Sequence, residues 1–283
     1  MLGRITLALF SLLLVRGNLV AGLEAGLACP DWPLCRGDVI PPFRFDVWME
    51  FTHRLIAAMA TVSLLLLCRQ RLKIYAGIAR GVPLAALGLI VMVIALGGIT
   101  VIMELPAQIT TIHFMTGLAV FLLVGYMTLF DGTARSPAFS VKGHAGLFFG
   151  LGMLLYFQAS LGAYVRHSDA GSACPDFPTC LGNWLPHLSG NVLIHYSHRL
   201  LAYLIVGTIA AVAAAVFIDA RLKRHRLLAL TLLALAVIQT GVGAGVVLSG
   251  LNFSATAFHL AMALVMLLVT GIMWAGEAKG ELP

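Results

Sequence analysis

Two clusters of chemically reactive residues recur along the chain at a spacing of 145 positions. Residues 29–35 read CPDWPLC, and residues 174–180 read CPDFPTC. At the same spacing, EFTHRL at residues 50–55 corresponds to HYSHRL at residues 195–200. Thiols can form disulfides or exchange electrons, and imidazoles can bind metals. The repeat therefore predicts two homologous halves, each with a cysteine-bracketed loop and a histidine site.

Four of the nine histidines occupy matched positions in apolar segments: His53, His113, His198 and His259. Each lies about six residues inside the outer end of its predicted span, or roughly 9 Å below the surface at 1.5 Å per residue. Each half thus places two histidines at one depth, on its second and fourth helices. Paired imidazoles on facing helices commonly hold a haem iron from both sides, so we expect one haem in each half.

Packing and zinc binding are the alternative interpretations of these histidines. A lone membrane histidine is more often a packing residue than a ligand, although ionisable groups inside a bilayer usually face a functional cavity. Two histidines per half, without a nearby carboxylate or thiolate pair, would under-fill a tetrahedral zinc site. Four further histidines are predicted to be solvated at helix edges or in the second outer loop: His144, His225, His167 and His187.

Arg54 and Arg199 each directly follow a candidate ligand. At the outer interface they can snorkel to lipid headgroups, or they can neutralise the propionates of a haem. Once a haem is granted, propionate pairing is the interpretation that we favour. Arg16 and Arg166, near the outer ends of the first and fifth spans, are weaker candidates for the same role.

The two halves differ at Glu50, which His195 replaces in the second half. Both residues lie three positions before the candidate ligand, on the same helix face. A carboxylate beside a metal cofactor can accept and release protons, and an ordinary interfacial ion pair is an equally good interpretation. The asymmetry suggests that the first half performs chemistry and the second carries electrons. His195 also offers a second imidazole beside His198, so the choice of ligand there stays open.

Each cysteine pair has the spacing C-x5-C, which differs from the C-x-x-C of thioredoxin-like redox centres. A structural disulfide is the favoured interpretation for Cys174 and Cys180. For Cys29 and Cys35, on the Glu50 side, a structural and a redox role are equally open. Cys68 is predicted to be an unpaired bystander.

The elements that must position these residues are membrane helices. Hydrophobic residues make up 60% of the 283 positions and charged residues only 11%, whereas soluble domains carry about 25% charged residues. Segments of about 20 apolar residues, long enough to cross roughly 30 Å of hydrocarbon, lie near residues 3–22, 48–68, 82–103, 108–130, 145–165, 192–218, 227–248 and 254–275.

We therefore predict an all-α integral membrane protein with eight transmembrane helices. Four spans per repeat preserve orientation, so the halves, residues 1–135 and 136–283, should be parallel four-helix bundles related by a pseudo-twofold axis. Basic residues are concentrated in alternate loops: Arg69, Arg71, Lys73, Arg80, Arg135, Lys142, Arg221, Lys223, Arg224 and Arg226. By the positive-inside rule, these loops and both termini are cytoplasmic. The cysteine loops then lie on the outer side of the cell membrane, where disulfides persist.

The net charge of +6 thus reflects membrane orientation and does not indicate a nucleic-acid partner.

Three motifs and the four spaced histidines resemble the haem A synthase family over essentially the whole chain. The motifs are GLACPDWPLC at residues 26–35, MEFTHRL at 49–55 and LGAYVR at 161–166. The resemblance implies an oxidoreductase that converts the C8 methyl of haem O into a formyl group by successive hydroxylations. The product, haem A, serves terminal oxidases.

The resemblance also implies roles for individual residues. His53 and His113 would flank the substrate haem, while His198 and His259 would ligate a permanent haem b. Glu50 and the pair Cys29 and Cys35 match family positions tied to activity. The second cysteine pair is not universal in the family, which argues against a catalytic role for it.

The implied partners are membrane lipid, haem O with the enzyme that supplies it, and an electron acceptor that the sequence does not identify. A homo-oligomer is compatible with a membrane enzyme of this size. Three alternatives to haem oxidation are a non-catalytic dihaem cytochrome, a membrane thiol oxidoreductase and a transporter with parallel repeats. The cytochrome would give Glu50 no special purpose, and the absence of C-x-x-C argues against the thiol enzyme. The polar residues lie in the outer third of the spans, whereas those of transporters lie at mid-membrane.

Overall fold

A computed structural model describes residues 1–131 and 140–280 of the chain. Within these ranges the chain forms eight long α-helices, with no strand beyond two isolated bridges. All eight are long and apolar enough to cross a membrane, which confirms the predicted all-α membrane fold. The helices are α1 Leu2–Gly22, α2 Phe45–Ile74, α3 Gly81–Ile102, α4 Ala107–Leu129, α5 Gly143–His167, α6 Gly190–Ile218, α7 Arg226–Leu248 and α8 Phe253–Gly280.

The chain divides into two compact units, Met1–Pro137 and Ala138–Pro283. In the first unit α4 packs against α1 and α3, and α2 packs against α1. In the second unit α8 packs against α5 and α7, and α6 packs against the same two helices. Each unit is thus an assembly of four helices, and the twofold relation between the halves stays a prediction. The predicted boundary at 135/136, with Arg135, lies outside the described residues.

The second helix continues two turns beyond its predicted end. Arg69, Arg71 and Lys73, which were predicted to lie in a loop, belong to α2. The buried Arg71 side chain donates from Nε to the carbonyl of Met127 (2.8 Å) and from Nη1 to that of Asp131 (3.2 Å). Met127 lies in the last turn of α4 and Asp131 lies two residues beyond its end, where backbone carbonyls lack partners within the helix. The extension of α2 therefore supplies hydrogen-bond donors to the carbonyls at the end of α4. A hydropathy profile cannot predict this contact.

In the second unit, two histidines that were predicted to be solvated pair with carboxylates. For His225 the prediction is wrong, because the residue is buried. Its side chain is 4% exposed, and its Nε2 lies 2.6 Å from Glu277 Oε1. Arg224 reaches the same carboxylate oxygen at 2.6 Å. His144 pairs with Asp219 at 3.2 Å. A buried polar ring requires such partners, and the partner Glu277 lies far away in sequence.

Short turns close the other end of each unit, beside the cysteine loops. In the turn between α3 and α4, Leu105 adopts a φ of 60°, and its side chain packs on Gly26. In the turn between α7 and α8, Leu251 adopts a φ of 64° and packs on Gly171. The two turns thus anchor the chain segment that leads into each cysteine loop.

Candidate functional site

The four candidate ligand histidines lie at matched depths in their helices. His53 and His198 each follow the first residue of their helix by eight positions. His113 and His259 each follow theirs by six positions. At 1.5 Å per residue these positions lie about 12 Å and 9 Å from the helix starts. The depths are thus equal between the halves, whereas within each half the two histidines differ in depth by about 3 Å, where the sequence predicts a single depth.

Each of these imidazoles lies against a glycine on the preceding helix. A Cβ atom added to that glycine would approach Cε1 of the ring to about 3 Å, closer than normal contact. The four pairs and their distances are His53 on Gly17 (3.1 Å), His113 on Gly97 (3.1 Å), His198 on Gly162 (2.9 Å) and His259 on Gly243 (3.1 Å). The glycines repeat at spacings of 145 and 146, as the histidines do. Sequence reasoning missed them, although they repeat in register with the histidines.

The polar environment of the four rings fits axial ligation of a haem. Among the described residues, the Nδ1 atoms of His53, His198 and His259 are buried without a hydrogen-bond partner. The Nδ1 atom of His113 lies 3.0 Å from the carbonyl of Val93. A ligand imidazole normally uses one nitrogen for the metal and donates from the other. His113 shows this arrangement, with its Nε2 atom left for a metal. In the other three rings the buried Nδ1 atom is available to a bound group.

The histidines also pair within each unit. His53 lies near His113 in the first unit, and His198 lies near His259 in the second. In residues 1–131 and 140–280, no group of three or more His, Cys, Asp or Glu side chains is placed to hold a metal ion. A haem supplies four nitrogens of its own and needs only axial ligands from the protein. Two imidazoles per unit match that requirement.

Two glutamines that the sequence analysis did not single out contact the histidines of the second unit. Gln158 Nε2 donates to the carbonyl of His198 (3.0 Å) and lies 3.4 Å from its Nε2 atom. Gln239 Nε2 donates to the carbonyl of His259 at 2.9 Å. Both glutamine Oε1 atoms are buried without a partner in the described part of the chain. In the first unit the corresponding residues are the apolar Leu13 and Val93.

Arg54 ties the first cysteine loop to α2. Its Nη1 donates to the carbonyls of Asp31 (2.7 Å) and Leu34 (2.6 Å), and its Nη2 donates to that of Cys29 (2.9 Å). Its Nε donates to Glu50 Oε1 at 2.9 Å. Four of the five N–H groups of this guanidinium are therefore engaged within the protein. The ion pair with Glu50 is mostly buried, with side-chain exposures of 15% and 8%.

Arg199 repeats this arrangement in the second unit. Its Nη1 donates to the carbonyls of Asp176 (2.8 Å) and Thr179 (2.6 Å), and its Nη2 donates to that of Cys174 (2.6 Å). Its Nε donates to Nε2 of His195 at 3.3 Å. The exchange of Glu50 for His195 thus keeps an acceptor for the arginine but removes its negative charge.

Both ring nitrogens of His195 are engaged. Nδ1 lies 3.0 Å from the carbonyl of Ala170, which can only accept, so this nitrogen carries the proton. Nε2 then accepts from Arg199. A neutral ring with two partners has no lone pair left for iron. Of these two neighbouring imidazoles, His198 is therefore the one that could bind a metal.

Disulfides close both cysteine loops, as predicted. Cys29 is bonded to Cys35 and Cys174 to Cys180, while Cys68 is free and buried. A cis peptide bond precedes the second proline of each loop.

A loop aspartate further shapes each turn. Asp176 accepts from the amides of Leu181 (2.7 Å) and Gly182 (2.9 Å) and from the hydroxyl of Thr179. The Thr179 hydroxyl and the Gly182 amide lower the pKa of Asp176 to about 2. Asp31 accepts from two amides at the corresponding positions, and the Gly37 amide lowers its pKa.

An apolar groove lies beside the Glu50–Arg54 pair. It encloses about 480 Å³ and is lined by Val39, Ile40, Trp48, Phe51, Arg54 and Leu55. Val39 and Ile40 are 78% and 70% exposed. Large exposed apolar side chains at a membrane-helix end are suited to contact with lipid or an apolar ligand.

Comparison with known proteins identifies the family. The family model described as "Cytochrome oxidase assembly protein" (COX15-CtaA) matches residues 42–270. The heme A synthase of Halalkalibacterium halodurans is 29% identical over 259 residues, covering 88% of this chain and 86% of that protein. The heme A synthase of Bacillus licheniformis is 29% identical over 286 residues, covering 96% of this chain and 92% of that protein. The chain belongs to the COX15-CtaA family of cytochrome oxidase assembly proteins.

Proposed function

We propose that this protein oxidises the C8 methyl of haem O to a formyl group and so makes haem A for terminal oxidases. The observation that carries the proposal is the repeated pair of glycine-backed histidines, with a carboxylate beside the pair in the first unit only. Relatives of nearly the same length carry the name heme A synthase. The family and the unequal units thus support one function.

The first unit would bind the substrate. His53 and His113 would flank the tetrapyrrole, and the glycines against which the two rings lie support this assignment. Two hydroxylations of the methyl group, with oxygen at the level of water, would release four protons and pass four electrons to the external electron acceptor. They give a geminal diol, which loses water to leave the aldehyde. Glu50 would accept and return protons beside the substrate, while its pairing with Arg54 fixes the direction of its Oε1 atom.

The second unit would hold a resident haem b. His198 and His259 would be its axial ligands, and the group would supply one-electron transfer when bound. Gln158 and Gln239 line the same two histidines and orient them. His195 serves this unit by holding Arg199 and, through it, the cysteine loop.

Arg54 and Arg199 would act first as anchors for the cysteine loops. Since each uses four of its five N–H groups within the protein, one remains for a haem propionate at the loop edge. The Cys29–Cys35 disulfide would hold the first cysteine loop closed over the substrate site. A redox role of this disulfide would be additional to its structural role.

The topology follows from the charge pattern. Both termini would lie in the cytoplasm and the cysteine loops outside, in a multi-pass protein of the cell membrane. The groove beside Arg54 opens next to the proposed substrate site. It would admit haem O from the lipid or from the enzyme that makes it.

The test is production of haem A in a host that makes haem O and lacks its own synthase. Haems extracted from these cells are separated by chromatography. The unmodified chain should yield haem A or its hydroxylated intermediate; haem b alone would favour a dihaem cytochrome. His198→Ala and His259→Ala should lose bound haem b.

A Glu50→His variant supplies a matched control from the chain itself. His195 shows that an imidazole at this position can hold the arginine and the loop, so this variant should fold and keep haem b. Because it lacks the carboxylate, it should make no haem A. Full activity in Glu50→His and in Glu50→Gln would exclude the proposed role of Glu50.

A further inference from the structure

Arg16 is a cation inside the first membrane span without a carboxylate partner. It lies six positions before the last residue of α1. Its Nη2 donates to the hydroxyl of Thr52 on α2, and its Nε is buried with no hydrogen-bond partner in the described ranges. No carboxylate of residues 1–131 or 140–280 lies within ion-pair distance of it. Arginine within a membrane span is costly and normally faces an internal partner or cavity.

The side chain is directed into the first unit and away from lipid. Thr52, to which it donates, is the residue immediately before His53. Snorkelling to lipid headgroups would carry the guanidinium away from both residues. The contact with Thr52 therefore places this cation beside the proposed substrate haem.

Asn18 adds a second unsatisfied polar group at the same position. Gly17 faces the His53 ring, and successive helical residues are rotated by about 100°, so Arg16 and Asn18 lie on either side of it. The Oδ1 atom of Asn18 is buried with no hydrogen-bond partner among the described residues. Buried polar atoms of this kind usually have a partner.

The arrangement is confined to the first unit. The residues corresponding to Arg16 and Asn18 in α5 are Leu161 and Ala163, which flank Gly162. The polar pair therefore distinguishes the unit that must bind and release a substrate from the unit that retains its haem. Arg16 also has more free capacity than Arg54, since only one of its five N–H groups is engaged.

We propose that Arg16, assisted by Asn18, binds a carboxylate of the substrate tetrapyrrole in the first unit. The proposal rests on the proposed function, because it takes the first unit to be the substrate side. The guanidinium supplies charge-assisted hydrogen bonds to the carboxylate, and the Asn18 amide contributes a neutral contact. Arg16 is thus a substrate-binding residue that holds the tetrapyrrole in one orientation between His53 and His113.

The test compares haem O with its dimethyl ester, which lacks both carboxylates. The purified full-length protein, saturated with haem b, is titrated with each ligand and followed by absorbance in the Soret region. Unmodified protein should bind the free acid more tightly, by about 10- to 100-fold for a charge-assisted contact. Arg16→Gln should remove most of that preference, and Arg16→Lys should restore part of it.

Arg4→Gln is the control, because Arg4 lies exposed on the same helix, twelve positions away. It should leave the preference for the free acid unchanged. If Arg16→Gln weakens both ligands equally or neither, Arg16 does not contact a carboxylate and the proposal is wrong. If that variant does not accumulate with haem b bound, Asn18→Ala gives the answer: a few-fold smaller preference supports the site, and an unchanged preference contradicts it.

This outcome is separable from that of the haem A assay. If the unmodified protein makes haem A but the preference is independent of Arg16 and Asn18, only the carboxylate site is refuted. If it makes no haem A yet shows an Arg16-dependent preference, the proposed function fails and the carboxylate site stands.

Discussion

Substituting Gly162 with alanine tests the haem b assignment with a single methyl group. The added Cβ would lie 2.9 Å from Cε1 of His198. Carbon atoms in contact are about 3.5–4.0 Å apart, so the ring must retreat by roughly 0.6 Å. In the absence of a metal this costs little, since Cε1 is at the free end of the side chain. An imidazole bonded to iron cannot retreat without lengthening or tilting that bond.

The expected loss follows from this difference. Altering a group that orients a metal-binding histidine typically lowers metal affinity by about 10- to 100-fold. We therefore expect Gly162→Ala to release haem b about 10 to 100 times faster than the unmodified protein. The assay is transfer of haem b from the purified protein to excess apomyoglobin, with haem content determined as the pyridine haemochrome.

Gly150→Ala is the control on the same helix. A Cβ at Gly150 would meet nothing within 4 Å, and alanine favours a helix over glycine by up to about 1 kcal/mol. This variant should hold haem b as the unmodified protein does. If Gly162→Ala releases haem b no faster than Gly150→Ala, the His198 ring is not fixed to iron and the reasoning fails.

Three further predictions concern the second unit. Replacing Gln158 with Leu and Gln239 with Val, the residues of the first unit, should speed the release of haem b by about 10- to 100-fold, because the carbonyls of His198 and His259 lose the Nε2 donors that help to position these residues; an unchanged rate of transfer to apomyoglobin would contradict this. The pKa of Asp176 is about 2 in the folded loop and about 3.9 in an unfolded chain. Its contribution to loop stability is therefore fully present above about pH 4 and is lost as the pH falls through 2. Hydrogen exchange of the Leu181 and Gly182 amides, normalised to the rates of unstructured peptides, should therefore accelerate only below pH 4. The double variant Cys174→Ser, Cys180→Ser should lose about 2 kcal/mol of stability by the chain-entropy relation, seen as a lower melting temperature, yet still make haem A; loss of product would show that this pair is functional.

The membrane fold could be predicted because composition alone determines it. Backbone polar groups in lipid must be satisfied within the helix, so each long apolar segment becomes a span and each histidine takes a depth given by its position. The extension of α2 could not be predicted, because Arg71 is stabilised by carbonyls of α4 that lie 56 and 60 positions away in the chain.

The role of Arg54 illustrates the limit of reasoning from neighbouring residues. Its position after His53 predicts pairing with a haem propionate, which stays a prediction, but it does not predict the contacts that Arg54 makes with Glu50 and the cysteine loop. On a helix, however, adjacent side chains diverge by about 100°, while Glu50 and Arg54 lie one turn apart on a common face. The loop carbonyls that complete the contact come from residues 20 to 25 positions earlier. These carbonyls reach Arg54 only in the folded loop, so their contacts with it cannot be read from positions along the helix.

The Glu50-to-His195 exchange also changes the charge balance around each site. In the first unit Glu50 neutralises Arg54, and the cation left beside His53 is Arg16. In the second unit Arg199 contacts a neutral imidazole, with no carboxylate within ion-pair distance in the described chain. An uncompensated guanidinium at the loop attracts a haem carboxylate more strongly than a neutralised one does. Under the proposed function, the exchange would favour tighter retention of a haem beside Arg199 than beside Arg54.

The Glu50→His variant should reveal this second effect. With Arg54 no longer neutralised, the first cysteine loop acquires the Arg–His pair of the second in addition to the cation Arg16, so the variant should accumulate haem O as well as lose the reaction. The measurement is the ratio of haem O to haem b extracted from the purified protein. The same ratio is measured for Glu50→Gln, whose side chain is also neutral but offers Arg54 an amide instead of a ring nitrogen. Equal ratios in the unmodified protein and both variants would show that charge at position 50 does not govern retention of the substrate.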